Sequence, residues 1–187
     1  MSFIPSIATV TDQCLMIFSL SDMLIRQRRS EDSFRQFQYV ADVIDNRASV
    51  LLAEYMLEMA AKLRFLDDRE ELLKRYERHQ VRVKNYQGVE EISLRDIRWA
   101  LNKLIHQSRI SFSVKKQDTI VLPSPPESKG RELDKPVGLY KDKVVMVLVE
   151  GRHNGRAWKH EFSLAQLLNE ILRIVFLKNL DESGPHS

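Results

Sequence analysis

The sequence predicts an α+β fold, mainly α, as a single domain over residues 1–187. Three observations carry this. Apolar residues recur at spacings of three and four through most of residues 6–109. After Arg109 the period changes to two, and a valine-rich run and an Asn-Gly turn follow. A Ser-capped, strongly apolar helix then closes the pattern. The expectation is an antiparallel helical bundle over 1–109, a small antiparallel sheet plus helix over 110–178, and a polar tail over 179–187.

Residues 6–27 read as a first helix, with Val10, Cys14, Ile17, Phe18 and Leu24 at helical spacing. Residues 31–66 read as one long helix. Phe34, Phe37, Ala41, Ile44, Ala48, Leu51, Leu52, Tyr55, Met59 and Leu63 mark its core face, with no Gly or Pro between them. Such a helix needs a long antiparallel partner. Residues 67–86 are dense in charge and leave only a narrow apolar strip at Leu72, Leu73 and Tyr76, which predicts a solvated helix with weak ion pairs. His79 within it needs no special role, and Gly88 ends the segment. Residues 93–108 are the best-marked helix: Ser93 is the expected N-cap, Asp96 completes a capping-box-like pair, and Ile92 packs on Ile97 as a staple.

Beyond the helices, Ile110, Phe112 and Val114 alternate with Ser111, Ser113 and Lys115 as a half-buried strand, with Thr119–Leu122 as its return. Residues 123–138 hold four prolines and two glycines and read as a loop. Val144–Val149 is a strand, Asn154-Gly155 a tight hairpin turn, and Ala157–Phe162 the returning strand. Ser163 caps the last helix with Gln166 at the reciprocal position, and Phe162 and Leu167 form a second staple.

Composition excludes several function classes. A chain that is 43% apolar buries a core without disulfides or metal. The net charge is only +3, an excess that permits nucleic-acid binding without arguing for it. Cys14 is the one cysteine, so the chain holds neither a disulfide framework nor a thiolate metal cluster, and a reducing, cytoplasmic setting follows. Residues 1–13 lack a basic region, and the apolar run Cys14–Leu20 is short and flanked by Asp12 and Asp22, so neither a secretory signal nor a membrane span is expected. There is no Gly-rich phosphate loop, HExxH, GxSxG or paired CxxC. No cofactor and no metal are expected. His153 and His160 could approach across the hairpin, but with only Glu150 or Glu161 as a third ligand, turn decoration is the favoured reading.

On a helical wheel, Leu94, Ile97, Leu101, Leu104 and Ile105 face the core, and Arg95, Arg98, Asn102 and His106 line the flank. Asn102 and His106 are i, i+4 neighbours. This strip resembles the motif of the HEPN superfamily (higher eukaryotes and prokaryotes nucleotide-binding), helical domains that include metal-independent endoribonucleases of toxin–antitoxin and phage-defence systems. The family motif is an Arg, often followed by a polar residue, then a His after four to six residues. Asn102 and His106 match the polar position and the His, and Leu101 stands where the Arg belongs. The resemblance covers residues 5–110 by architecture.

What the resemblance implies is an RNA-associated or regulatory domain. In an active enzyme of this kind, His106 serves as general acid or base, Asn102 as its polar companion, and a guanidinium stabilises charge on the phosphorane oxygens. Leu101 supplies none, so Arg98 is the substitute. It lies two helical turns from His106, roughly 12 Å along the axis, a span that facing motifs in a homodimer would shorten. The alternatives are a metal-independent endoribonuclease using His106, Asn102 and Arg98, and a structural or oligomerising domain without nucleic acid. In the last reading Asn102 and His106 bond a neighbouring helix or loop, and Arg95 and Arg98 are solvated or paired with Glu90 and Glu91. The expected nucleic-acid-binding residues are Arg95, Arg109, Arg152, Arg156 and Trp158, the last three on a basic, aromatic hairpin. The expected partners are RNA, a second copy of the chain and a regulatory protein.

Overall fold

A computed structural model describes residues 6–27, 38–75, 80–85, 91–117 and 142–182. Five helices and five strands follow in the order α1 (Ile7–Gln27), α2 (Gln38–Glu70), α3 (Leu72–Arg75), β1 (Gln80–Asn85), β2 (Glu91–Asp96), α4 (Ile97–Ile105), β3 (Arg109–Gln117), β4 (Asp142–His153), β5 (Arg156–Ser163) and α5 (Leu164–Glu182). The fold is α+β and mainly helical, with one antiparallel sheet in the strand order β2-β1-β5-β4-β3. The expected return strand at 119–122, the loop at 123–138, the helix start at 31–37, His79 and Gly88 lie outside the described residues.

One face of the sheet carries Val81, Val83, Val145, Val147, Val149, Trp158 and Phe162, all buried against the helices. Alternation along each strand turns the opposite face outward, where Val144, Met146 and Leu148 are half-buried. There Lys115 Nζ bonds both carboxylate oxygens of Glu161, at 2.6 and 2.7 Å. Asn154 and Gly155 take φ angles of 49° and 77°, the left-handed pair that a two-residue hairpin turn requires. The Ser163 hydroxyl accepts the Gln166 N–H at 3.4 Å, as the capping pattern predicts.

Helix α1 runs along α2, with Cys14 Sγ 3.6 Å from Met59 Sδ, and touches α5 and β4. Burial pushes the Cys14 thiol up to about 12. Contrary to the expectation from sequence, α1 is long and apolar enough over Ile7–Arg26 to cross a membrane by length and composition. In the fold, one side of it (Val10, Cys14, Ile17, Leu24) is core, while Leu15, Met16 and Phe18 face outward. The core face of α2 also differs from the expected one. Ala48, Leu52, Met56, Met59, Leu63 and Leu66 are buried, but Ile44 is exposed.

Two further expectations are corrected. Residues 67–86 are not one helix, and the stretch 1–109 is not all helical. Helix α2 stops at Glu70 because the Glu71 N–H donates to the Asp67 carbonyl at 2.8 Å with Glu71 at φ 52°. After the single turn α3, Val81 and Val83 send β1 into the core. Ser93 is not a helix cap, so the capping box and the Ile92–Ile97 staple are not the device that starts α4. Ser93 lies in β2 opposite Val83. Asp96 is the N-cap, accepting the Trp99 N–H at 2.6 Å. A ladder partner ten residues upstream outweighs the local helical pattern over 91–96.

Gln13 is 5% exposed, and neither its amide nitrogen nor its oxygen has a partner among the described residues. An unsatisfied buried amide is destabilising. Gln13→Met is expected to raise stability by about 1 kcal/mol, seen as a higher urea midpoint at unchanged m-value; a lower midpoint would show that the amide is hydrogen-bonded in solution.

Candidate nucleic-acid interface

Helix α4 presents two flanks. On one lie Arg98, Asn102 and His106. Leu101, where the family motif has Arg, is completely buried in the core. Arg98 reaches the end of α2; Glu90, offered as its partner by the sequence, lies outside the described residues. Its Nε lies 3.4 Å from Asp67 Oδ2 and its Nη2 3.3 Å from Asp68 Oδ1. Arg64 grips the same two carboxylates at 2.7 and 3.0 Å. His106 is exposed and ends the helix; its backbone N–H donates to the Asn102 carbonyl at 3.0 Å. Asn102 and His106 are therefore adjacent, while the guanidinium of Arg98 is committed to carboxylates.

The other flank carries Trp99 and Lys103, four apart on one side of the helix, and Arg95, in strand β2 just before the Asp96 cap, lies beside the Trp99 ring. Strand β5 brings Trp158 and His160 up to it on the helix-facing side of the sheet. The rings of Trp99 and His160 meet edge to face at 4.8 Å, and those of Trp158 and His160 stack at 5.3 Å. Lys103 Nζ sits 4.1 Å from the centre of the Trp158 ring and 5.5 Å from that of Trp99. Arg95 Cζ lies 5.7 Å from the Trp99 ring centre. These are cation–π distances. Neither Arg95 nor Lys103 has an acidic partner among the described residues.

Burial is the first cause, and the Lys103 and Arg95 charges the second, of a His160 pKa lowered to about 4. The imidazole is therefore neutral near pH 7, and the net charge of the cluster comes from the two long side chains. Burial and Arg95 also hold the Lys103 ammonium below its ordinary value. Gly151 makes the arrangement possible. It lies opposite Trp158 in the ladder, and a β-carbon there would come within 2.2 Å of the indole.

The residues expected to bind nucleic acid divide between the two sides. Arg95 and Trp158 join this cluster. Arg156 opposes His153 at the hairpin tip, two residues along the strand from Trp158. Arg109 and Arg152 belong to the opposite face of the sheet, with Glu150, so no continuous basic surface joins the predicted arginines. Lys159 bonds Glu150 at 2.9 Å and, with Arg109 nearby, holds that carboxyl below its usual range. His153 opposes Arg156 and His160 opposes Val149, so the ladder register keeps the two histidines apart. Among the described residues no group of three His, Cys, Asp or Glu could hold a metal ion. Trp99 and Lys103 were missed by the sequence reading, which grouped Arg95 with Arg98, Asn102 and His106 on one helical flank; Arg95 instead belongs to β2 and lies beside Trp99.

Trp99 and Trp158 are the two tryptophans of the chain, so intrinsic indole emission reports this cluster alone. Gly151→Ala is expected to destabilise the fold by about 1–3 kcal/mol and to shift emission to longer wavelength; unchanged emission and stability would refute the close packing of Trp158 on β4. Protonation of His160 is disfavoured in the folded state, so the unfolded chain takes up the extra proton between pH 6.5 and about 4. Stability therefore falls as pH drops through that window. His160→Phe is expected to flatten the fall in melting temperature; an identical slope in wild type and variant would refute a neutral His160. Comparison with family models, with curated proteins and with solved structures gave no match.

Proposed function

We propose that this chain is an RNA-associated or regulatory domain of HEPN-like type that holds nucleic acid and does not cleave it. The observation that carries the reading is the pair of cations, Arg95 and Lys103, seated on the two tryptophans with no acidic partner among the described residues. A positive charge held in place by aromatic rings is poised for an anion. The non-catalytic part of the proposal rests on Leu101, which is buried, and on Arg98, which is paired with Asp67 and Asp68. The kinship with the HEPN superfamily rests on the Asn102–His106 spacing in a helix that follows the α1–α2 pair. A homodimer or a regulatory protein partner is part of the same proposal, supported by the outward Leu15, Met16 and Phe18 of α1. A cytoplasmic setting fits the single buried thiol of Cys14.

The test is titration of single-stranded RNA, in EDTA, into wild type, Arg95→Gln/Lys103→Gln and His106→Ala. Wild type and His106→Ala are expected to bind equally and leave the RNA intact, with indole emission changing on binding. The double variant is expected to bind at least about tenfold more weakly, the equivalent of about 1.4 kcal/mol. Cleavage by wild type that His106→Ala loses would overturn the non-catalytic reading and establish the endoribonuclease. Absence of RNA binding by all three would favour the oligomerising domain.

A further inference from the structure

Resting on the reading of an RNA-associated domain, we infer that the Arg95–Lys103 cluster recognises the phosphodiester backbone alone and is blind to the bases. An aromatic, basic site invites the opposite conclusion, that bases stack on the indoles, as they do in many single-strand binders. Stacking needs a bare ring face. Trp158 is 7% exposed. Gly151 lies tight against its indole, Lys103 Nζ sits 4.1 Å from the ring centre, and His160 stacks beside it. His160 is itself 8% exposed. Trp99 packs on the core, touches His160 edge to face, and has both cations within 5.7 Å of its ring centre. The rings are a floor that positions two cations, and what they leave accessible is positive charge.

The ligand chemistry that fits two fixed cations is a chain of phosphates. An RNA backbone and an inorganic polyphosphate both supply it, and neither is distinguished by the cations themselves. Contact with two phosphates of a single strand predicts a shallow salt dependence, a slope of log K against log salt of about −1.4. Base recognition would instead add a stacking contribution that is insensitive to salt.

Three probes of equal length separate the outcomes: a uridine oligoribonucleotide, an abasic ribose-phosphate oligomer and inorganic polyphosphate. Each is titrated into the full chain and into Arg95→Gln/Lys103→Gln, whose melting temperature and emission maximum report that it folds. The abasic oligomer is expected to bind within about threefold of the uridine oligomer, and the double variant to weaken both by the same factor of at least about ten. Tight uridine binding with the abasic oligomer more than about tenfold weaker would overturn the inference and leave RNA association standing. Polyphosphate binding that depends on Arg95 and Lys103, with RNA unbound, would uphold the phosphate site and overturn RNA as its source. Binding of none of the three would overturn both.

Discussion

The carboxylate of Asp67 is the contact on which the arrangement turns. It is 2% exposed, at the end of the longest helix. One oxygen takes the Leu73 N–H at 2.8 Å and so redirects the chain after α2. The other takes Arg64 and Arg98, and so ties α4 to the same point. A buried carboxylate without partners is costly, and two hydrogen-bond donors together with the Arg98 charge offset that cost. The consequence reaches the candidate motif. An arginine that satisfies a buried carboxylate is not available to a scissile phosphate, and withdrawing it would leave Asp67 short of a donor. From the same helix Trp99 and Lys103 meet His160 and Trp158 of β5.

Much of the second half was legible because its signals are local. The Asn154-Gly155 turn, the valine run before it and the Ser163 cap each act within a few residues, and the structure follows them. The first half was less legible because its decisive contacts are not local. Val81 and Val83 alternate within a run of charges, and the helical reading of that run hid a strand whose partner lies across a turn. Arg98 and Asp67 are paired across thirty-one positions, and a count of charges along one helix cannot show which carboxylate an arginine will find. Of the candidate site, Arg95 and Trp158 were both singled out, but as members of separate patches. What brings them into one cluster is β5 running beside α4, where Trp99 and Lys103 lie between them, a tertiary fact with no local trace.

The cluster also shows how indole rings keep a cation in place, with no carboxylate partner among the described residues. An acidic partner would cancel the charge that a ligand reads. An indole face holds the same ammonium through its quadrupole, for about 0.5–2 kcal/mol, and leaves the charge whole. Burial first, and the repulsion of Arg95 second, hold Lys103 below its ordinary value. His160 stays neutral chiefly because it is buried, with the two cations adding to the effect. The group is thus a compact positive site on an apolar floor, and the apolar floor requires Gly151.

The position of β5 has a consequence for how the chain reaches this state. It is the last strand in sequence and the middle strand of the sheet. Val83 meets Phe162 across about eighty residues (83 to 162), so the central seam closes a long loop. Until that strand is made, β1 with β2 is a hairpin with an open edge on the side β5 will fill, and β3 with β4 is another. The helices can form early, but the sheet is completed by one late, non-local step, which makes folding slow for a chain so rich in helix. A nascent chain that stalls before residue 156 therefore carries two unpaired edges and no central strand to join them, the state in which such a domain is most prone to pair with a copy of itself.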